Sequence, residues 1–102
     1  MKEDKPGQLA MAHIAPDSAR VLARNRIPGA RIAAAEIEME KGKLVYSFDM
    51  KTQGRRGIDE VLIDAMSGAI ISVEHEGPAQ EAAERARDAR GPAARRDSTR
   101  RP

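Results

Sequence analysis

The chain has 102 residues, 18 of them basic and 16 acidic, with only two aromatic rings, Tyr46 and Phe48, and neither Cys nor Trp. A chain this short supports one domain, and it lacks the rings for an aromatic-lined enzyme pocket or a base-stacking nucleic-acid platform. Disulfides, zinc–thiolate sites and Cys nucleophiles are excluded, and no apolar run approaches the roughly 18 residues of a membrane-spanning helix.

Residues 1–8 read as a flexible N-terminus, because Met1–Gly7 is charged and carries Pro and Gly; it is not the basic-then-apolar ramp of a signal peptide. The folded domain is expected over residues 9–76. Leu9–Ile14 is compatible with a short strand or a helical turn. Pro16 disfavours a helical Ala15, and a short extended entry is the favoured reading.

Pro16–Arg26 is the first strong element. Pro suits a first helical turn, Asp17 and Ser18 suit the N-terminal end, and Arg24 and Arg26 suit the C-terminal end of the dipole. Ala19, Leu22, Ala23 and Ile27 recur at three- and four-residue spacing, which makes a narrow apolar stripe suited to a flat surface. Pro28 and Gly29 then stop the helix and redirect the chain.

Beyond Gly29 the period changes from helical to alternating. Ala33, Ala35, Ile37 and Met39 interleave with Glu36, Glu38 and Glu40, so this strand has an apolar face and a carboxylate face. Lys41-Gly42 is a tight turn. Leu44, Tyr46, Phe48 and Met50 then alternate with Val45, Ser47, Asp49 and Lys51 in an antiparallel second strand. Gln53–Gly57 forms a longer, mobile loop, Ile58–Ala65 a third strand, Met66–Gly68 a turn, and Ala69 to Glu74 or Glu76 a fourth strand. The expected fold is α+β: one helix on a four-stranded antiparallel meander, with the other sheet face largely wet. A core drawn from so few residues is modest, and a homodimer or a covering partner domain would relieve that.

After Gly77 the composition shifts. The chain up to Gly77 holds 11 basic and 12 acidic residues, whereas the remainder holds seven Arg against four acidic residues, and its only apolar side chains besides proline are Ala. Residues 77–102 therefore read as a basic tail, disordered or weakly helical. Ala79–Arg90 has helical credentials, with Glu81 four residues before Arg85 and Gly91-Pro92 as a stop.

Four features together resemble a PepSY domain, the module named for peptidase propeptides and a spore-germination regulator. They are the Ala-rich helix ending in Ile27-Pro28-Gly29, the acidic strand with Ala35-Glu36-Ile37-Glu38, the opening Gly42-Lys43-Leu44-Val45-Tyr46, and the closing run Val61-Leu62-Ile63-Asp64-Ala65-Met66-Ser67-Gly68-Ala69-Ile70-Ile71. The likeness covers about Met11 to Glu76, with Ser67 where the family most often has Thr, and the tail has no counterpart in it. The resemblance implies a non-catalytic module of exported bacterial proteins, periplasmic or secreted, that inhibits or modulates a peptidase or another envelope protein, with no cofactor.

The candidate sites divide into structural and surface residues. Pro28, Gly29, Gly42, Asp64, Ser67 and Gly68 are expected to shape turns; Asp64 accepts backbone N–H groups, a better reading than a cation loop. Glu36, Glu38 and Glu40 form an acidic stripe whose repulsion is relieved if Lys41, Lys43, Lys51 or Arg55 lies across the hairpin. Tyr46 and Phe48 share one strand face and are either core or, if exposed, a partner patch. With Gln53, Arg55 and Arg56 of the long loop, the stripe and the two rings make up the candidate partner surface. His13 and His75 would share a metal only if the first segment lay beside the last strand, and neither has the neighbours of a catalytic triad, so no catalytic or metal residue is assigned.

Two functional readings follow. In the first, a small envelope module presents its sheet to another protein by an open edge or by the helix-free face. In the second, the folded part is a scaffold and residues 79–102 bind nucleic acid or anionic membrane through arginines; the interspersed acidic residues make this the lesser reading.

Overall fold

A computed structural model describes residues 1–77, and the readings made for the tail beyond them lie outside the described residues. The chain forms β1 (Lys2–Glu3), α1 (Gln8–Met11), α2 (Pro16–Arg26), β2 (Ala30–Glu40), β3 (Lys43–Thr52), β4 (Ile58–Asp64) and β5 (Ile70–Glu76). The strands make one sheet in the order β1-β2-β3-β4-β5. The β2–β5 meander is antiparallel, as the alternation implies, but the expected four strands are five: Lys2–Glu3 pairs parallel with Glu36–Ile37. A two-residue charged strand has no periodicity to reveal it. Its anchoring comes from the Glu3 carboxylate, which accepts the Leu9 backbone N–H at 2.9 Å.

The segment before Pro16 is a second correction. Gln8–Met11 is a helical turn rather than an extended entry, since Pro16 restricts only its immediate neighbour. Gln8 is buried, and its Oε1 accepts the Lys5 backbone N–H at 2.9 Å. The extended part is confined to the connection, where the backbone N–H groups of His13 and Ile14 both donate to the Ala65 carbonyl.

Helix α2 runs as expected, with Pro16 in its first turn and Arg24 and Arg26 in its last. Ala19 and Ala23 are fully buried, while Leu22 and Ile27 pack at the margin of the core. The two small side chains let the helix approach the central strand, where Leu44, Tyr46, Phe48 and Met50 are almost completely buried. The Tyr46 and Phe48 rings stack with centroids 6.1 Å apart, and the Tyr46 hydroxyl donates to the Ile14 carbonyl. Ile37, Val61, Ile63 and Ala65 complete this core.

The connections follow turn chemistry. Ala30 N–H donates to the Ile27 carbonyl across Pro28 and Gly29, with Gly29 at φ 88°, the arrangement of a type II turn. Lys41 and Gly42 both have positive φ, 50° and 82°, as a two-residue type I′ hairpin requires. Strand β2 departs from simple alternation: a bulge between Ile32 and Ala34 displaces Ala33, which is exposed, and turns Ile32 rather than Ala33 toward the core.

The Gln53–Gly57 loop, expected to be mobile, is tied at its base. Arg55 forks onto Asp59 with bonds of 3.1 and 3.2 Å. Gly57 lies against the end of β5, where a Cβ would fall 2.0 Å from the Glu76 carbonyl oxygen. Gly54 has a comparable φ of 85° but open space around it. Gly54→Ala should therefore cost about 1–2 kcal/mol, the price of left-handed backbone alone. Gly57→Ala should cost about 3 kcal/mol or more, because overpacking adds to the same strain. Urea melts of the two variants check this, and equal losses would contradict it.

Candidate functional site

Both helices pack on one face of the sheet, so the remaining surfaces for a partner are the opposite face and the edges. Tyr46 and Phe48 leave the candidate partner surface: both are 0% exposed and form the centre of the core under α2. Two rings at alternate strand positions are compatible with either face, and only the helix position decides between them.

The structural residues sit where turn chemistry puts them. Asp64 Oδ1 accepts the backbone N–H groups of Met66 and Ser67 at 2.8 and 3.2 Å, and Ser67 Oγ accepts that of Ala69 at 3.1 Å. These backbone bonds hold the Asp64 carboxyl below the usual range. Gly68, at φ 84°, leaves its α-carbon beside Ile14 and Leu22.

Glu36, Glu38 and Glu40 lie on the helix-free face, opposite Ser47, Val45 and Lys43 respectively. Of the four cations expected to relieve this stripe, only Lys43 stands directly across from one of its members, and its Nζ also approaches Asp64 at 3.9 Å. Arg55 is on the other side of the sheet with Asp59, and Lys51 pairs with Arg31. Lys2 of β1 is aligned with Glu36. Burial raises Glu38 to about 6, and Glu36, Glu40, Glu60 and Asp4 add to the effect.

A second polar cluster closes the far end of β4. Asp59 is nearly buried; besides the Arg55 fork it receives His75 Nδ1 at 2.9 Å. Burial alone would raise the Asp59 carboxyl, but the hydrogen bonds from Arg55 and His75 outweigh it and hold it below its ordinary value. As a carboxylate it only accepts, so the imidazole Nδ1–H donates. His13 is at the other end, bound through its backbone to Ala65, six residues along the strand from Asp59. At about 3.3 Å per residue, roughly 20 Å separates the two histidine positions, too far for one metal ion. Among the described residues no three His, Asp or Glu side chains gather as a metal site.

The edge at β5 was not singled out by any motif, yet among the described residues it is the longer of the sheet's two edge strands. Among the described residues it pairs only with β4, and Ile70 and Ile71 are 38% and 43% exposed. A register shift opposite Leu62 and Ile63 makes Ile71 an extra residue on this edge. Arg56 is exposed beside Gly57, which touches the end of β5, whereas the exposed Gln53 lines a depression with Gly29, Arg31, Lys51 and Thr52 at the β2–β3 end.

A single main helix on a five-stranded mixed sheet, with a carboxylate-bearing face opposite the helices, defines a small α+β module whose available surfaces are those of a sheet. The family comparison is specific. Residues 14–74 match the model of the peptidase propeptide and YPEB domain, PepSY, which is more than half of the chain, and the chain belongs to that family. No match was found among curated proteins or among solved structures. PepSY domains are propeptide-like regulatory modules, generally non-catalytic and typically extracellular or periplasmic. Among the described residues no helix is long and apolar enough to cross a membrane.

The Glu38 environment gives a pH signature. A carboxyl whose folded value is about 6 against 4.5 favours the folded state when protonated, so its ionised form weakens the fold increasingly from about pH 4.5 to 6 and by a constant amount above. The displacement corresponds to at most about 2 kcal/mol, and partial solvent screening reduces it to about 1 kcal/mol. Glu38→Gln should thus stabilise the chain by about 1 kcal/mol at pH 7.5 and by almost nothing at pH 4, measured by urea unfolding at both pH values.

Proposed function

We propose that this chain is a non-catalytic binding module of the bacterial envelope that modulates a peptidase or another exported protein by accepting an extended segment along β5. The β5 edge is the observation that carries the reading: among the described residues β5 has a strand neighbour on one side only, and the outward backbone groups of residues 70–75 offer hydrogen bonds to an added strand. Ile70 and Ile71 supply apolar contact beside those groups, and Arg56 precedes Gly57, which touches the C-terminal end of the strand. Membership in a propeptide-like family supports a peptidase as the partner class. Inhibition would then be occupancy: the module and its bound segment exclude substrate from a cleft without any reaction on the module.

Edge pairing is tested by immobilising the full chain and the full-length Ile71→Lys variant and passing envelope extract from the native organism over both. Ile71 is already substantially exposed, so the substitution leaves the core intact. The wild-type chain should retain an exported peptidase or envelope protein identifiable by mass spectrometry, and the variant should retain at least tenfold less. Equal retention by both would contradict edge pairing.

A further inference from the structure

The β2–β3 hairpin ends, away from its Lys41-Gly42 turn, in two like charges. Arg31 and Lys51 stand directly opposite each other in register, and a cation facing a cation destabilises a sheet. Both are on the face opposite the helices, because their neighbours Ile32 and Met50 belong to the core. Among the described residues neither side chain forms an ion pair. The two cations border a depression of about 390 Å³ that Gly29, Thr52 and Gln53 complete. Every side chain of this lining carries an N–H or O–H donor, and no carboxylate belongs to it. The Thr52 hydroxyl is buried without a hydrogen-bond partner among the described residues, an uncommon state for a polar atom.

We infer that this depression binds the terminal carboxylate of a peptide. A guanidinium presents parallel N–H groups to the two oxygens of a carboxylate, and the Lys51 ammonium adds a second positive charge from across the strand pair. Directly opposed side chains start about 5 Å apart, so one carboxylate is within reach of both, and its charge relieves their repulsion. The volume is at the small end for ligand clefts and suits the end of a chain rather than a folded partner. The rest of the face argues against a polyanion. On that face the next rung of the hairpin is Ala34 opposite Asp49, where a smaller depression is lined also by Lys2, Ala35, Glu36 and Ser47. Asp49, Glu60 and Glu74 then stand in one cross-strand row over β3, β4 and β5, with Ser47 donating to Glu60. This surface of mixed sign offers no continuous track of cations to nucleic acid or to an anionic membrane. A peptide brings one negative charge at its end and neutral backbone behind it, and the methyl group of Ala34 leaves room for that backbone. The site is on β2 and β3, so it stands or falls separately from strand docking at β5.

Titrating the isotope-labelled full chain with N-acetyl-trialanine, as free acid and as C-terminal amide, reads the site by NMR. The free acid should shift the amides of Gly29, Arg31, Lys51 and Gln53 saturably, with an affinity at least tenfold above that of the amide form. Arg31→Gln and Lys51→Gln should each lower the affinity for the free acid at least fivefold. Both variants should melt at the wild-type temperature or slightly above it, since each removes one of two opposed charges. Absence of a saturable shift, equal affinities for acid and amide, or unchanged affinity in both variants would overturn the inference. Inorganic phosphate that bound the same residues as tightly as the peptide acid would make this a general anion site and overturn it equally.

Discussion

One short helix has to cover a sheet wider than itself, and most of the molecule follows from that. An eleven-residue helix is about 16 Å long, whereas five strands span about 19 Å from the first to the last. Helix α2 is seated by two alanines, Ala19 and Ala23, which allow it close to the Tyr46 and Phe48 rings of the central strand. The core is therefore deepest at β3 and thins outward. Strand β2 gains extra cover from α1 and β1, which the Glu3–Leu9 bond holds together. Strand β5 gains none among the described residues, and its apolar residues Ile70 and Ile71 remain at the surface.

The same shortage governs the polar groups. On the helix side Asp59 is matched by Arg55 and His75 and Tyr46 by the Ile14 carbonyl, while Thr52 Oγ1 is buried without a hydrogen-bond partner among the described residues. The opposite face concentrates carboxylates around Val45 and Ser47 and raises Glu38 toward neutral pH.

Much of the fold was legible because it is local. The α2 stripe, the Pro28-Gly29 stop, the Lys41-Gly42 hairpin and the Asp64–Gly68 turn each rest on residues adjacent in the chain, and each stands where the sequence implies. Features set by distant pairing were not legible. Lys2–Glu3 has no pattern that distinguishes a strand from a charged tail, and Leu9–Met11 is too short for periodicity to separate a helical turn from an extended entry. The bulge at Ala33 inverts the facing of Ile32 relative to strict alternation, and nothing in Ala-Ala-Ala marks it. The candidate surface was readable in part. Tyr46 and Phe48 could not be placed inside or outside until the helix position was known. The carboxylate row through Asp49, Glu60 and Glu74 depends on the register of three strands, which no single segment contains.

The central claim is that this PepSY module meets its partner through the backbone of β5. Amide hydrogen exchange of the full chain, free and bound to its envelope partner, reads that edge residue by residue. The account predicts new protection of the outward amides of Ile70–Glu76 on binding, with α2 unchanged. Protection confined to α2 or to the β2–β3 hairpin, with β5 exchanging as fast as before, would contradict it.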